Sequence, residues 1–169
     1  MFKRDPIAIV VVRPEGLILA RMLRKAYPSW DLWMPKYSNP QKGESGYDGK
    51  FKDWLQVNIK QYEGFVFIMA TGIVVRSISS IIQDKQTGPG IVVCDEFGRQ
   101  AISLLGGHEG GANELAHEVA SKIGCNPVSA FAAKSLASRT KFFRTSFRIN
   151  LRLLVASRKC LPNKRFARI

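Results

Sequence analysis

The sequence has no long apolar segment and no pair of neighbouring cysteines. Its longest uninterrupted apolar runs, residues 7–12 and 65–70, are far shorter than the about 18 residues that a membrane-spanning helix needs. Residues 1–6 lack the apolar stretch and the cleavage site of a signal peptide. Cys94, Cys125 and Cys160 are widely separated, which excludes the spacing of a structural zinc site and argues against a disulfide framework. We therefore expect a cytoplasmic globular protein with reduced thiols.

Acidic residues are absent from the last part of the chain. All 13 of them lie between Asp5 and Glu118, whereas 11 of the 26 lysines and arginines lie in residues 126–169. The net charge of +13 is therefore concentrated in that segment, and residues 1–125 are nearly neutral. This division predicts a globular domain over residues 1–125 and a separate basic tail over residues 126–169.

Alternating strand and helix patterns predict the fold of residues 1–125. Apolar, β-branched runs typical of buried strands alternate with segments whose apolar residues recur at helical spacing. The predicted strands are 7–12, 30–34, 64–70, 91–94 and 100–105, and the predicted helices are 14–27, 50–62, 73–82 and 112–123. We expect an α/β fold with three layers: a mostly parallel sheet with one hairpin, and helices on both faces. Residues 36–49 are predicted to form an exposed loop, and the tail is expected to be irregular or helical.

One candidate binding loop is residues 69–73, which lead from a strand into a helix. In α/β sheets, ligands bind beyond the carboxyl ends of the strands, where loops reach helix N-termini. Thr71 is a candidate N-cap, and Gly72 permits a close backbone approach. Arg76, one turn later, is placed to help hold an anion. A structural cap with a tight turn, and an arginine on a solvated helix face, explain the same residues.

The second candidate loop is residues 106–111, which also lead from a strand into a helix. Four of its six positions are glycine: Gly106, Gly107, Gly110 and Gly111. Because each glycine costs backbone entropy, this density suggests a backbone held against a ligand, and a mobile connector explains it equally well. The loop lacks the Gly-Lys-Ser/Thr of a P-loop and the spacing of a dinucleotide-binding glycine motif.

Three polar residues accompany this glycine loop. His108 lies inside it, where an imidazole that titrates near neutrality is able to accept or donate a proton. Glu109 adds a neighbouring carboxylate. The alternatives are an ordinary surface histidine and a solvated turn carboxylate. Asn113 opens the following helix, a position that helix capping explains.

Four motifs occur in one order along the chain. They are residues 69–76 (MATGIVVR), 84–85 (DK), 92–98 (VVCDEFG) and 102–113 (ISLLGGHEGGAN). Together with the opening strand and the helix that follows Pro14, they resemble the CbiG family. Its members are cobalt-precorrin-5A hydrolases of the anaerobic route to cobalamin. The resemblance runs from about residue 6 to Pro127 and includes two glycine-rich blocks.

The resemblance implies a hydrolase that opens a lactone on a cobalt-corrinoid and releases a two-carbon fragment as acetaldehyde. The catalytic candidates are then His108 as the base and Glu109 beside it. The substrate-binding candidates are Thr71, Gly72, Arg76, Gly106, Gly107, Gly110, Gly111 and Asn113. No cofactor is implied, because the cobalt arrives inside the substrate. Other enzymes of the cobalamin pathway, or a second copy of the chain, are further candidate partners.

The chain departs from the family pattern in two places. Gly106 stands where the family more usually has serine, which removes a possible polar contact. The family's chains also continue into a second domain, and residues 126–169 do not resemble it. Whether the chain is an active hydrolase or only its substrate-binding N-terminal part therefore stays open.

The basic tail has three competing explanations. It is an arm that binds nucleic acid or an anionic membrane surface, a helix that docks on a partner protein, or the product of a shifted reading frame. The abrupt change of composition where the resemblance ends favours the third. In each case, 11 basic residues without an acidic one predict non-specific binding of anions. The alternative function is a non-enzymatic nucleic-acid-binding protein with a basic C-terminal arm.

Overall fold

The computed structural model describes residues 5–82, 88–107 and 110–129. All of these residues belong to the unit that residues 1–130 form. The predicted irregular or helical form of the tail lies outside the described residues. In the part of the chain that is described, no helix is both long enough and apolar enough to cross a membrane.

Seven strands and four α-helices make up the described part of the chain. The strands are β1 (Ile7–Val11), β2 (Asp31–Pro35), β3 (Ser45–Tyr47), β4 (Gly64–Ile68), β5 (Gly90–Cys94), β6 (Gln100–Leu105) and β7 (Asn126–Ser129). The helices are α1 (Leu17–Ala26), α2 (Phe51–Asn58), α3 (Thr71–Ile78) and α4 (Ala112–Ile123), and a 3-10 turn over Pro14–Gly16 leads into α1. The strands form one sheet in the order β3-β2-β1-β4-β5-β6-β7.

The direction of the strands gives the sheet two different edges. Strands β1 to β5 are parallel to one another. β6 runs antiparallel to β5, and β7 is parallel to β6. We call the edge at which β1 to β5 end, from Pro35 and Tyr47 to Ile68 and Cys94, the carboxyl edge. The edge at which they begin, near Ile7, Gly64 and Gly90, is the amino edge. The predicted α/β fold, mostly parallel with one hairpin, is confirmed.

Helices cover both faces of the sheet, as the sequence predicts. Alternate residues of β1 show the two layers, because Ile9 packs with the α1 and α4 side chains, whereas Val10 packs with those of α2 and α3. All five residues of β1 are buried, which is why the strand is a continuous apolar run instead of an alternating one. Each large apolar side chain buried in this way contributes about 1.5–3 kcal/mol.

Two short strands lie where the sequence predicts none. β3 lies inside the predicted loop 36–49, and its three residues, Ser-Gly-Tyr, carry no strand pattern of their own. It is held by pairing with β2 and, just before it, by two hydrogen bonds from the Arg21 guanidinium to the Glu44 carboxylate at 2.7 and 3.0 Å.

β7 lies beyond the predicted domain boundary at residue 125. It pairs with β6 at the border of the sheet, where Pro127 is tolerated because one side of the strand needs no ladder hydrogen bonds. The boundary at 125 is therefore too early by at least the four residues of β7. Two predicted helices are also shorter than expected, since α2 ends at Asn58 and α3 at Ile78.

Candidate functional site

The two candidate loops lie at opposite edges of the sheet. Residues 69–72 follow β4 and lie at the carboxyl edge. β6 runs against β5, so that its last residue, Leu105, pairs with Ile91 near the start of β5. The glycine loop that follows Leu105 therefore lies at the amino edge. The expectation that both loops lie beyond the carboxyl ends of the parallel strands is wrong for residues 106–111.

At the amino edge, the glycines pack backbone against backbone. A Cβ atom added to Gly90 would lie 2.3 Å from the carbonyl oxygen of Gly110, and one added to Gly106 would lie 2.9 Å from that of Pro89. One added to Gly110 would lie 2.9 Å from the carbonyl oxygen of Gly106. Gly106 also has a φ of +69°, in the left-handed region. The close approach of Gly90, Gly106 and Gly110 thus accounts for glycine at these positions without a ligand.

The glycine loop folds back onto the first turn of α4. The N–H groups of Ala112 and Asn113 donate to the carbonyl oxygens of Gly106 and Gly107 at 3.0 and 3.2 Å. The N-cap of α4 is Gly111 and no side chain caps the helix, so the capping explanation for Asn113 is wrong. The Asn113 side chain instead lies against Gly107, and its Oδ1 is buried without a partner among the described residues. His108 and Glu109 lie outside the described residues.

At the carboxyl edge, the chain reverses its direction of travel across the sheet between β1 and β4. The connection after β1 leads to β2 on one side, and the connection after β4 leads to β5 on the other. Such a switch point leaves a crevice between diverging loops, and it is the usual ligand site of open α/β sheets. Gly16 lets the two connections approach, because a Cβ atom added to it would lie 2.8 Å from Cγ2 of Ile68.

The start of α3 forms one wall of this crevice. Its N-cap is Ala70 and no side chain caps the helix, so the prediction of Thr71 as the N-cap is wrong. Thr71 and Gly72 are the first two helical residues, and their backbone N–H groups belong to the positive end of the helix. The Arg76 guanidinium folds back over this turn, with Nη1 3.3 Å from where a Cβ of Gly72 would lie. Glycine here makes room for Arg76.

A second arginine follows the neighbouring strand at the same edge. Arg13 comes two residues after β1 and is exposed, as Arg76 is. Neither guanidinium forms an ion pair within the described residues. The sequence analysis missed Arg13, although a basic residue directly after the first buried strand is a readable signal for a group at the carboxyl edge. Two unpaired cations beside uncapped helical N–H groups form a surface suited to anions.

In the turn after β5, the charged side chains of Asp95 and Arg99 bind each other. Asp95 accepts hydrogen bonds from the Arg99 N–H at 2.7 Å, the Gln100 N–H at 3.1 Å and the Arg99 side chain at 2.7 Å. Burial alone would raise the pKa of Asp95, but these hydrogen bonds hold it below its ordinary value. Burial likewise raises the pKa of the Cys94 thiol well above its ordinary value. The Asp95 carboxylate therefore holds the backbone of its own turn.

No group of three or more His, Cys, Asp and Glu side chains within residues 5–82, 88–107 and 110–129 is arranged to hold a metal ion.

Comparisons with known proteins match the chain to proteins named for cobalamin synthesis and for cobalt-precorrin-5A hydrolysis. Residues 53–133 match the family model CbiG_N, described as cobalamin synthesis G N-terminal, which confirms the resemblance to the CbiG family. The chain is 35% identical over 130 residues to a cobalt-precorrin-5A hydrolase of Priestia megaterium and 33% identical over 151 residues to one of Salmonella typhimurium. It is also similar in fold to a cobalamin biosynthesis protein G homolog from Sulfolobus solfataricus, with a TM-score of 0.55 and 22% identity over 78% of this chain and 38% of that one.

The coverage of these matches shows how much of each chain is shared. The chain spans 35% of the length of the Priestia protein and 42% of the Salmonella protein, and the matches cover 75% and 89% of this chain. A match over 89% of a 169-residue chain necessarily enters residues 126–169. The expectation that the resemblance ends at Pro127 is therefore wrong for the Salmonella protein.

Proposed function

We propose that this chain acts in cobalamin biosynthesis as a cobalt-precorrin-5A hydrolase or as the substrate-binding N-terminal part of one. The observation that carries the proposal is the match of residues 53–133 to the CbiG N-terminal family, together with two relatives that bear the hydrolase name. The cobalt is then part of the substrate. The site of action is the cytoplasm, and other enzymes of the pathway or a second copy of the chain are candidate partners.

The carboxyl edge is the proposed binding surface for the corrinoid. A corrinoid carries many acetate and propionate carboxylates, which suit guanidinium groups and helical N–H groups. Arg76 and Arg13 supply the cations, and Thr71 and Gly72 supply the backbone donors at the start of α3. Because Arg76 and Arg13 have no ion pair within the described residues, binding a carboxylate there breaks no salt bridge of the described protein.

The chemistry needs a base and donors for an oxyanion. Lactone hydrolysis requires a deprotonated water and groups that stabilise the tetrahedral oxyanion. A base then takes the proton of the freed hydroxyl, the C–C bond breaks, acetaldehyde leaves, and the ring carbon keeps the electron pair and takes up a proton. We assign the base to His108 with Glu109 beside it, and the oxyanion donors to the backbone of Gly106, Gly107, Gly110 and Gly111, with Asn113 as a further contact.

This assignment divides binding and chemistry between two edges. A strand rises by about 3.3 Å per residue, so the edges of this sheet are about 15 Å apart. Arg76 and the described glycines of the loop, Gly106, Gly107, Gly110 and Gly111, therefore do not contact one lactone at the same time, and the proposal requires the corrinoid to reach the amino edge with its reacting part. Variants at the two edges consequently have separable effects.

The test uses the full 169-residue chain. Cobyrinic acid, a cobalt-corrinoid with free carboxylates, is titrated by absorbance, and acetaldehyde release from cobalt-precorrin-5A is assayed beside it. We expect His108→Ala to leave the affinity unchanged and to abolish any acetaldehyde release, with His117→Ala, the other histidine, as the matched control. A folded wild-type chain that binds no corrinoid would contradict the proposal.

The nucleic-acid alternative depended on residues 126–169 alone. Neither the described fold nor the relatives add an observation in its favour. Non-specific anion binding by this basic segment stays a prediction. It is tested by titrating DNA into the full chain at low and at physiological salt. We expect DNA to bind at low salt and this binding to disappear as the salt concentration rises.

A further inference from the structure

An aromatic cluster fills the space between the sheet and α2. Its members are Trp33, Tyr47, Phe51, Trp54, Tyr62, Phe65 and Phe67. The ring of Trp54 is central, with its centroid 5.2 Å from that of Trp33 and 5.5 Å from that of Tyr47. The cluster reaches from one edge of the sheet to the other, so its polar atoms meet two different surroundings.

Towards the amino edge, every polar atom of the cluster has a partner. The Trp33 indole N–H donates to the Tyr62 hydroxyl at 2.8 Å, and this hydroxyl donates to the Asp31 carboxylate at 2.9 Å. Burial raises the pKa of Tyr62 to about 12. A half-buried phenol and a half-buried indole are thus satisfied in the usual way, by a chain of hydrogen bonds that ends on a charged acceptor.

In the part of the cluster next to β3, two polar atoms have no partner among the described residues. Tyr47 is 5% exposed and Trp54 is 8% exposed, and the hydroxyl of the first and the indole N–H of the second are buried without a hydrogen bond. Leaving such a group unpaired destabilises the folded protein, because the group forms hydrogen bonds with water in the unfolded chain. Tyr47 is the last residue of β3 and pairs with Pro35 at the end of β2, so its ring lies at the carboxyl edge.

A second tyrosine, Tyr37, lies near Tyr47 at this edge. Burial raises the pKa of Tyr47, and the nearby phenol of Tyr37 raises it further. Tyr37 itself is 74% exposed, and its side chain makes one hydrogen bond, from its hydroxyl to the carbonyl oxygen of Val12 at 3.1 Å. The two phenols of this edge therefore differ in their surroundings, because one is buried without a partner among the described residues and the other is exposed.

We propose that the Tyr47 hydroxyl and the Trp54 indole N–H are specificity-determining donors that bind a carboxylate of the ligand at the carboxyl edge. An indole N–H only donates, and a phenol donates readily, so the missing partner is an acceptor. A carboxylate offers two acceptor oxygens, and Arg13 and Arg76 draw carboxylates to the same edge. This inference rests on the proposed function for its ligand, and the other occupant, a buried water molecule, is an outcome of the test.

The experiment compares two tyrosines of one cluster in the full chain. Tyr47→Phe removes the unpaired hydroxyl, and Tyr62→Phe, the matched control, removes the paired one. Thermal unfolding is measured without ligand, and cobyrinic acid is titrated by absorbance. We expect Tyr47→Phe to keep or raise the melting temperature and to weaken binding about tenfold, because a hydrogen bond to a charged group is lost. Tyr62→Phe should lower the melting temperature and leave the affinity unchanged.

Each other outcome overturns the inference. If Tyr47→Phe lowers the melting temperature and leaves the affinity unchanged, the hydroxyl holds an internal water molecule. If neither quantity changes, the hydroxyl has no role. Trp54→Phe is the second variant, since it keeps an aromatic ring and removes the N–H; an affinity equal to that of the wild type would count against the donor pair. A folded wild-type chain that binds no corrinoid defeats the proposed function and this subsite with it, whereas equal binding by wild type and Tyr47→Phe defeats the subsite alone.

Discussion

The two edges of the sheet both carry glycine-containing loops that lead from a strand into a helix, but these loops have different roles. At the amino edge, the glycine loop closes on itself, and Gly90, Gly106 and Gly110 are in backbone contact. At the carboxyl edge, Arg13 and Arg76 lack ion pairs within the described residues. The glycine-dense loop thus has a packing explanation, whereas the edge with fewer glycines presents unused polar groups. A strand-to-helix loop is therefore informative only once the direction of its strand is known.

The aromatic cluster shows the same difference inside the core. Tyr62 and Trp33 are bonded in a chain to Asp31, whereas Tyr47 and Trp54 are buried without partners among the described residues. A protein gains stability by pairing such atoms, so the unpaired hydroxyl of Tyr47 at the carboxyl edge favours a role for that edge in binding, and Asn113 Oδ1 is the corresponding unpaired atom at the amino edge.

The largest expected effect is at the amino edge. In Gly90→Ala, the new Cβ lies 2.3 Å from a backbone oxygen that cannot turn aside, so we expect a loss of about 3 kcal/mol in the free energy of unfolding. Gly16→Ala is the carboxyl-edge counterpart. Its new Cβ meets Cγ2 of the buried Ile68 side chain at 2.8 Å. Because this contact is longer and involves a side chain instead of the backbone, we expect a smaller loss of about 2 kcal/mol. Urea unfolding of the full chain measures both.

Equal losses in these two variants would contradict the difference between the edges. Gly49→Ala separates steric clash from backbone strain, because Gly49 has a φ of +77° and open space around it. Its expected loss of about 1 kcal/mol comes from the left-handed conformation alone.

The next effect concerns binding at the carboxyl edge. Arg76→Ala removes an exposed guanidinium without an ion pair among the described residues, so we expect unchanged stability and about tenfold weaker binding of cobyrinic acid. Arg99→Ala removes the same charge from the same edge, but this guanidinium is held by Asp95 at 2.7 Å and lies over the Phe97 ring. Its effect on affinity should be smaller. Equal losses in both variants would show that net charge, and not the position of Arg76, governs binding.

The sequence predicted the long elements well and the relation between them poorly. β1, β4 and β5 are apolar runs whose complete burial follows from their composition. α4 ends at Ile123 as predicted, and Gly124 after it has a φ of +74°. β3 was missed because its three residues are held by contacts with distant residues. β7 was missed because it begins with Asn126 and Pro127, two residue types that are uncommon in strands. The predicted hairpin of β5 and β6 already implied that residues 106–111 return to the amino edge, so that error was avoidable.

Of the two arginines at the carboxyl edge, the sequence predicted only one as a binding residue. Arg76 was predicted from its place one turn into a helix, and Arg13 was missed. The unpaired hydroxyl of Tyr47 could not be predicted, because whether a phenol finds a partner depends on side chains that are distant in sequence. Ion pairing, which distinguishes Arg76 from Arg21, is equally a tertiary property.

The smallest expected effect tests a paired arginine. Arg21 binds Glu44 through two hydrogen bonds, and these hold the pKa of Glu44 below its ordinary value although burial opposes the shift. A carboxyl whose pKa is lower in the folded state adds stability above its unfolded pKa, and this stability disappears as the pH falls through the folded pKa. Glu44→Gln should therefore unfold more easily than wild type by about 1 kcal/mol at pH 7, and the difference should vanish in acid. Arg21→Gln, which removes the other partner of the ion pair, should show the same loss of stability at pH 7 and the same disappearance of this loss in acid. A gap between wild type and Glu44→Gln that stays constant from pH 7 into acid would mean that lost packing, and not the ion pair, holds β3 against the sheet.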